Sequence, residues 1–373
     1  MDRKKLVWIA WGVVIIALGA FVALSNTHTA VPSTKPTIVI GVTLPLTGDI
    51  AMLGESNKNA LELAFNKLQG ENLKYTYKLV FEDDQFKPSI GATTAHKLLS
   101  VDGANALISF GSPVGNVVSP IAESAGVPHI NDFASDPHVA QGQYNFVDYT
   151  PAYEDSKLFI QELEKRGITK IAFFGQQDNP GSSAIINTFL KDVQSTEIKV
   201  LSTQMITTGT TDFRTQIDKV KNLGADTYVL EITSPELEIF MTQLRNAGVK
   251  TPVTGMESFE FSSKLSLFEG MWYVNAADPM PWFMDLYTKT YSQTPKFGAA
   301  NGYDSLNMLV RAVETAGDGK TAPTGAQIKD ALAAISGFDG ALGTNLSVGS
   351  DHLVDSKAVV RTITNGTPVT IQP

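Results

Sequence analysis

Cysteine is missing from the sequence, which has 373 residues. Without thiol groups the chain forms no disulfide bond, has no thiolate nucleophile and builds no zinc–thiolate site. Histidine is scarce, and the five histidines are not spaced as metal ligands usually are. They are His28, His96, His129, His138 and His352. The sequence therefore predicts no metal site and no cofactor.

A basic surface is also lacking. The formal net charge is −9, and because the first five residues carry +2, the rest of the chain carries −11. Binding of nucleic acid depends on Lys and Arg side chains that neutralise phosphates, so we expect no nucleic-acid partner. The hydrophobic share of 43% is typical of a globular protein, and the length is sufficient for two domains.

Catalytic motifs are absent as well. Ser112 follows Gly111, but the segment lacks the second glycine of a nucleophile elbow, and Pro113 has no N–H for an oxyanion hole. Residues 319–321 resemble the end of a phosphate-binding loop, yet Glu314 stands where such a loop has glycine. We therefore predict no catalytic residues and interpret the chain as a binding protein, not an enzyme.

One long hydrophobic run stands near the N-terminus. Residues 6–24 carry no charge and follow a positive cluster at residues 3–5. This run of nineteen residues is longer than most signal-peptide cores, so it favours an uncleaved membrane anchor over a cleaved signal. Both interpretations export the rest of the chain to the periplasm or to the outer face of the cytoplasmic membrane. We assign residues 1–24 to this signal or anchor and residues 25–36 to a linker.

Strand and helix patterns alternate from residue 37 onwards. Strands are predicted at 38–44, 75–82, 106–110, 128–131, 170–174, 199–201, 227–232, 252–255, 358–363 and 369–371. Helical patterns lie between them, the first at 55–69, and they dominate from residue 281 to 334. Such alternation is typical of parallel, doubly wound α/β sheets. The pattern restarts near residue 149, and the strands that return at residue 358 after the helical stretch indicate that the chain crosses back between lobes. We therefore predict one lobe of residues 37–152 with 279–356 and a second of residues 153–278 with 357–373.

Two serines follow neighbouring strands of the first predicted sheet. Ser112 and Ser135 each end a small polar turn after a strand within residues 106–137. Since the carboxyl ends of parallel strands line up along one edge, these side chains are expected to face one crevice. Glu257 is an acid just past another strand. The alternative is that the serines belong to ordinary turns and that Glu257 is a solvated surface group.

Several short motifs occur in a fixed order over residues 37–373. They are IGV at 40–42, LPLTG at 44–48, EDD at 82–84, PIAESAGVP at 120–128 and FDG at 338–340. In this order they resemble the type I periplasmic binding proteins of the leucine/isoleucine/valine-binding group, the substrate receptors of branched-chain amino-acid ABC transporters. The resemblance implies a Venus-flytrap fold, with two Rossmann-like α/β lobes joined by about three crossovers. It also implies a monomer that delivers its ligand to a permease.

The resemblance further implies which residues bind the ligand. In that group the carboxylate of an amino acid is held by hydroxyls that fall here on Ser112 and Ser135. A neighbouring carbonyl falls on Phe133 or Ala134, and the acid that meets the ammonium group falls on Glu257. Hydroxyls let the backbone approach an anion closely, and a carboxylate forms a charge-assisted hydrogen bond with an ammonium group. We therefore expect an amino acid, aliphatic or otherwise apolar, as the ligand.

Two positions depart from the pattern of the group. Pro180 stands where many members have a tyrosine at the mouth of the second lobe, and Leu53 stands where an aromatic side chain often borders the ligand. Both changes imply more room beside the ligand. Small carboxylates or amides remain open as ligands, because the same fold serves other solutes. A ligand-sensing ectodomain is the alternative to a transport receptor.

Overall fold

The computed structural model describes residues 35–371. The predicted anchor at residues 1–24 and most of the predicted linker lie outside this range. Within the described range, no helix is both long enough and apolar enough to cross a membrane.

Two parallel sheets form the centre of the structure. The first has the strand order β2-β1-β3-β4-β5. Its strands are β1 Thr37–Leu44, β2 Thr76–Asp83, β3 Ala106–Ser109, β4 His129–Asn131 and β5 Asn145–Val147. The second has the order β7-β6-β8-β9, with β6 Lys170–Gln176, β7 Lys199–Ile206, β8 Thr227–Glu231 and β9 Val253–Gly255. Their parallel pairing agrees with the buried, mostly apolar sequences of the central strands β1, β3, β6 and β8.

A small antiparallel sheet stands beside the second parallel sheet. It has the order β10-β11-β12, with β10 Trp272–Ala276, β11 Ala358–Thr364 and β12 Thr367–Thr370. The helices that connect or cover the sheets are α1 Ala51–Leu68, α2 Pro88–Ser100, α3 Ser112–Ala125, α4 Ala152–Lys165, α5 Pro180–Asp192, α6 Arg214–Val220, α7 Glu236–Asn246, α8 Pro281–Tyr291, α9 Ala299–Ala316 and α10 Gly325–Ala333.

The hydrophobic cores show how the chain divides into two lobes. Phe283 of α8 and Leu309 of α9 share one core with Ile40 of β1. Tyr273 of β10 and Ile363 of β11 share another with the second parallel sheet. The chain therefore passes between the cores after β5, after β10 and before β11, which confirms the predicted fold of two α/β lobes. We propose the lobe boundaries predicted above, near residues 152, 278 and 356, because the cores change there.

The structure differs most from the sequence-based prediction at four elements, one of which is β7, which continues to Ile206 beyond its predicted end at residue 201. Strands β5 and β10 were not predicted, and α1 begins at Ala51, four residues before the predicted start at residue 55. The three residues of β5 are too few to show alternation. Gly54 suggested a loop, but it lies inside α1, where an added Cβ atom would come within 2.1 Å of the Pro45 carbonyl oxygen. The glycine thus permits a close approach of the helix to the loop after β1.

Candidate functional site

Ser112 is the first residue of α3. Gly111 precedes it with a φ of 77°, and a Cβ atom there would lie 2.4 Å from the Phe86 ring, so only glycine fits this turn. The backbone N–H of Asp136 donates to the Ser112 hydroxyl oxygen at 3.2 Å. Ser112 thus combines a hydroxyl with the electropositive end of a 14-residue helix, an arrangement that attracts anions.

Ser135 lies in the turn that follows β4. Its hydroxyl donates to Oε2 of Glu257 at 2.7 Å, and both side chains are buried. Glu257 follows β9 of the second sheet, so this hydrogen bond joins the carboxyl ends of the two sheets. Phe133 lies in the same turn, held by a hydrogen bond from its backbone N–H to the Asn131 side chain at 3.0 Å.

A small cavity lies where these turns meet. Its volume is about 20 Å³, the room of about one water molecule. Four of the seven residues predicted from the sequence to bind the ligand line it, namely Ser112, Phe133, Ser135 and Glu257. The structure therefore brings the two serines and the acid together, whereas the sequence alone left ordinary turns as an alternative.

The other three predicted residues do not line this cavity. Leu53 of α1 is fully buried in the core of the first lobe, and Ala134 belongs to the same core. Pro180 is the first residue of α5, and its neighbour Gly181 lines the cavity instead. A Cβ atom on Gly181 would lie 2.9 Å from the Ser112 hydroxyl oxygen, so the absence of a side chain lets α5 approach α3 closely.

Glu257 has an unusual backbone conformation. Its φ is 59° and its ψ is −43°, and the N–H of Ser258 donates to the carbonyl of Met256 at 2.6 Å around it. This is a γ-turn with positive φ, a rare and strained geometry for a residue with a side chain. Its own N–H donates to the carbonyl of Val274 at 2.8 Å. In this conformation the Glu257 carboxylate is buried in the interior, where it accepts the hydrogen bond from Ser135.

Burial changes the protonation of this carboxylate. Loss of solvent raises the pKa of Glu257 from 4.5 to about 7, against the opposing effect of the hydrogen bond from Ser135 and of the nearby Asp155 and Tyr149 side chains. Asp155, in the first turn of α4, is also fully buried, and burial followed by the charge of Glu257 raises its pKa well above the usual value. Both carboxyls therefore hold protons more tightly than exposed acids do.

Glu231 is a site residue that the sequence analysis missed. It is the last residue of β8, it is 3% exposed, and it lines the same cavity. Burial, and then the charge of Glu257, raise its pKa well above the usual value. A signal existed in the sequence, since Glu231 is the only charged residue in the predicted buried strand at 227–232.

The remaining walls combine aromatic rings with small polar groups. Phe86, Phe133 and Phe261 supply the rings, and Ile185 adds an aliphatic group. Asn179, Ser182 and Thr233 supply polar groups from the second lobe. Within residues 35–371, no cluster of three or more His, Asp or Glu side chains is arranged to hold a metal ion. The site is therefore suited to a small organic molecule with both apolar and charged parts.

Comparisons with known proteins identify the family of the chain. A family model described as periplasmic binding protein matches residues 37–368. The Leu/Ile/Val-binding protein homolog 7 of Brucella abortus (strain 2308) is 22% identical over 335 residues, which cover 82% of this chain and 79% of that protein.

Solved structures share the fold. A leucine-binding protein from Thermotoga maritima superposes with a TM-score of 0.81 at 20% identity, covering 90% of this chain and 98% of the other. A solute-binding protein of an ABC transporter from Rhodopseudomonas palustris BisB5, in complex with 3,4-dihydroxybenzoic acid, superposes with a TM-score of 0.78 at 20% identity. That comparison covers 90% of this chain and 96% of the other.

Proposed function

This chain belongs to the periplasmic binding protein family, and we propose that it is the substrate-binding protein of an ABC transporter with a free amino acid as its ligand. Membership of this family places the protein outside the cytoplasm, among solute-binding proteins. The observation that carries the proposal is the hydrogen bond from Ser135 to Glu257, which sets hydroxyl groups of one lobe against a buried acid of the other.

The two sides of the cavity have complementary chemistry for a zwitterion. Ser112 at the start of α3 and Gly181 at the start of α5 place two helix N-termini on the cavity, which favours a carboxylate. Glu257 offers an acceptor for an ammonium group. The rings of Phe86 and Phe133 would pack against an aliphatic side chain. The leucine-binding relatives support an aliphatic amino acid as the starting hypothesis.

Binding requires the lobes to move apart. An amino acid is several times larger than a water molecule, and the cavity of about 20 Å³ has room for about one. The ligand would enter after the hydrogen bond between Ser135 and Glu257 opens, and its own charged groups would then bridge the two sides. Rotation about the three crossovers supplies such a motion. A permease would recognise the closed form with its ligand bound. The protein would bind and release the ligand without changing it chemically.

The N-terminal run supports attachment to the membrane. We propose that residues 6–24 act as the signal or anchor that exports the body and holds the monomer near its permease. The linker of residues 25–36 would leave the lobes free to reach the permease.

A thermal-shift screen of the purified chain tests the amino-acid ligand. A ligand at 100 times its dissociation constant adds about 2.7 kcal/mol to the free energy of unfolding. We expect at least one free amino acid to raise the melting temperature of the wild type, and the Glu257→Gln variant to lose that rise. Glu164→Gln is the matched control, because Glu164 is exposed on α4.

Two results would contradict the assignment. One is stabilisation by benzoate or other carboxylates alone, with no response to any compound that carries an amine. The other is a response of Glu257→Gln that equals that of the Glu164→Gln control.

A further inference from the structure

Glu231 occupies the end of a strand that is otherwise apolar and buried. Tyr228, Val229 and Leu230 precede it, and each is at most 1% exposed. The Ser182 hydroxyl donates to the backbone carbonyl of Glu231 at 2.7 Å, which fixes this end of β8 against α5. The side chain lines the cavity, and its Oε2 atom has no hydrogen-bond partner. Burying a carboxylate oxygen without a hydrogen-bond partner costs free energy, so we expect the ligand to donate a hydrogen bond to this atom.

The charges around the cavity are unbalanced. Glu231 and Glu257 both line it, and Oε1 of Glu257 also lacks a hydrogen-bond partner. No Lys, Arg or His side chain is among the residues that line the cavity in the described part of the chain. The buried Arg361 is already engaged, with Glu260 at 3.1 Å and Asp278 at 2.7 Å. The compensating positive charge must therefore come from protons or from the ligand.

A zwitterion with one amine does not compensate both acids. Its ammonium group satisfies Glu257, but its carboxylate adds a negative charge at Ser112 and Ser135. Glu231 would then stay buried opposite an apolar side chain. A second ammonium group on a short side chain would satisfy Oε2 of Glu231 instead, since both acids line one small cavity.

We propose that Glu231 is a specificity-determining residue for a second positive charge, and that the ligand is a short diamino acid. This inference rests on the proposed function, because it places the carboxylate and the α-ammonium group as described above. Among commercial probes, ornithine presents two ammonium groups on a chain of five carbons. Norvaline is the same molecule without the terminal amine, so the pair isolates the contribution of the second charge.

Calorimetric titration of the purified chain with ornithine, norvaline and leucine tests the proposal. A charged hydrogen bond to a buried carboxylate contributes about 1.5–3 kcal/mol, so ornithine is expected to bind at least about tenfold more tightly than norvaline. Glu231→Gln should remove this preference, so that ornithine and norvaline bind the variant with affinities within about threefold of each other. Glu164→Gln serves as the control and should keep the preference.

Proton release provides a readout that a merely structural role would not produce. Burial raises the pKa of Glu231 and an ammonium group that pairs with its carboxylate would lower that pKa, so binding of the second amine should release protons. Titration of ornithine in two buffers with different ionisation enthalpies is expected to show greater proton release than titration of norvaline. The excess should disappear in Glu231→Gln.

The outcomes separate this proposal from the proposed function. If norvaline or leucine binds the wild type as tightly as ornithine, and Glu257→Gln abolishes that binding, the diamino acid is wrong and the amino-acid receptor stands. If ornithine is preferred but Glu231→Gln keeps the preference, the role of Glu231 is wrong. If none of the free amino acids tested in the wider screen binds, both proposals are overturned.

Discussion

Glu257 combines a strained backbone with a buried carboxyl group, and both features are unfavourable for stability. The strain arises from its γ-turn, and the buried carboxyl is held by a single hydrogen bond from Ser135. Residues that persist in such geometry cluster at functional sites. The position therefore supports the proposed role of Glu257 in ligand binding, because for stability alone glycine would relax the turn and glutamine would avoid the buried charge.

The pKa of Glu257 makes stability depend on pH. Below pH 4.5 the carboxyl is protonated in both the folded and the unfolded chain. Between pH 4.5 and about 7 the unfolded chain loses this proton while the folded chain keeps it, so the free energy of unfolding falls as pH rises. The slope is up to about 1.4 kcal/mol per pH unit for this group.

Urea denaturation without ligand at several pH values between 4.5 and 7 measures this slope. Glu257→Gln should show a shallower fall than the wild type, because glutamine does not titrate. The slope that remains comes from the other carboxyls whose pKa values are raised by burial, namely Asp84, Asp132, Asp148, Asp155, Glu231 and Asp304. A variant with the same slope as the wild type would show that Glu257 titrates alike in both states.

At the scale of elements, the turn between β3 and α3 positions Ser112. Gly111 satisfies two requirements there, a positive φ and a close approach to the Phe86 ring. The ring itself lines the cavity. A change at Gly111 is therefore expected to disturb both the helix N-terminus and the aromatic wall.

Gly111→Ala separates these requirements when it is compared with Gly224→Ala. Gly224 also has a positive φ, 72°, but nothing lies within 4 Å of an added Cβ atom. Both changes incur a φ penalty of about 1 kcal/mol, and the clash at Gly111 adds about 1–3 kcal/mol. Chemical denaturation should thus show a larger loss of unfolding free energy for Gly111→Ala. Equal losses would mean that the Phe86 ring moves aside without cost.

Sequence patterns predicted long elements well and short ones poorly. The helix α8 begins and ends at the predicted residues 281 and 291, because Pro281 opens it and its apolar spacing is regular. By contrast, β10 was missed, since its pairing with β11 is made across more than 80 residues of sequence. The local sequence pattern of a strand does not show which distant strand it pairs with.

The same limit applies to the site. Ser112 and Ser135 were predicted together because parallel strands align their carboxyl ends, a rule that acts within one lobe. Glu231 belongs to the other lobe, so its place beside Ser135 follows from the three-dimensional fold, although its charge within a predicted buried strand was a signal of its own. For Leu53, the motif order indicates a place in the chain but not the direction of the side chain, which the structure places in the core.

At the scale of the whole molecule, the two lobes meet through side chains that a ligand would separate. Ser135 and Glu257 satisfy one another across the cleft, so an amino acid must replace this hydrogen bond with its own. A ligand that carries only one of the two charged groups would leave the other side of the cleft unpaired. Tight binding should therefore require a free carboxylate and a free amine in the same molecule.

The most direct measurement is a calorimetric titration of the purified chain with two forms of one compound. The first form is the free amino acid that stabilises the protein most, and the second is its α-N-acetyl derivative, which keeps the carboxylate and the side chain but has no α-ammonium group. We predict at least about 100-fold weaker binding of the acetylated form, since the buried Glu257 would lose its charged partner. Equal affinity for the two forms would contradict the account of an amino acid held between the serines of one lobe and the acid of the other.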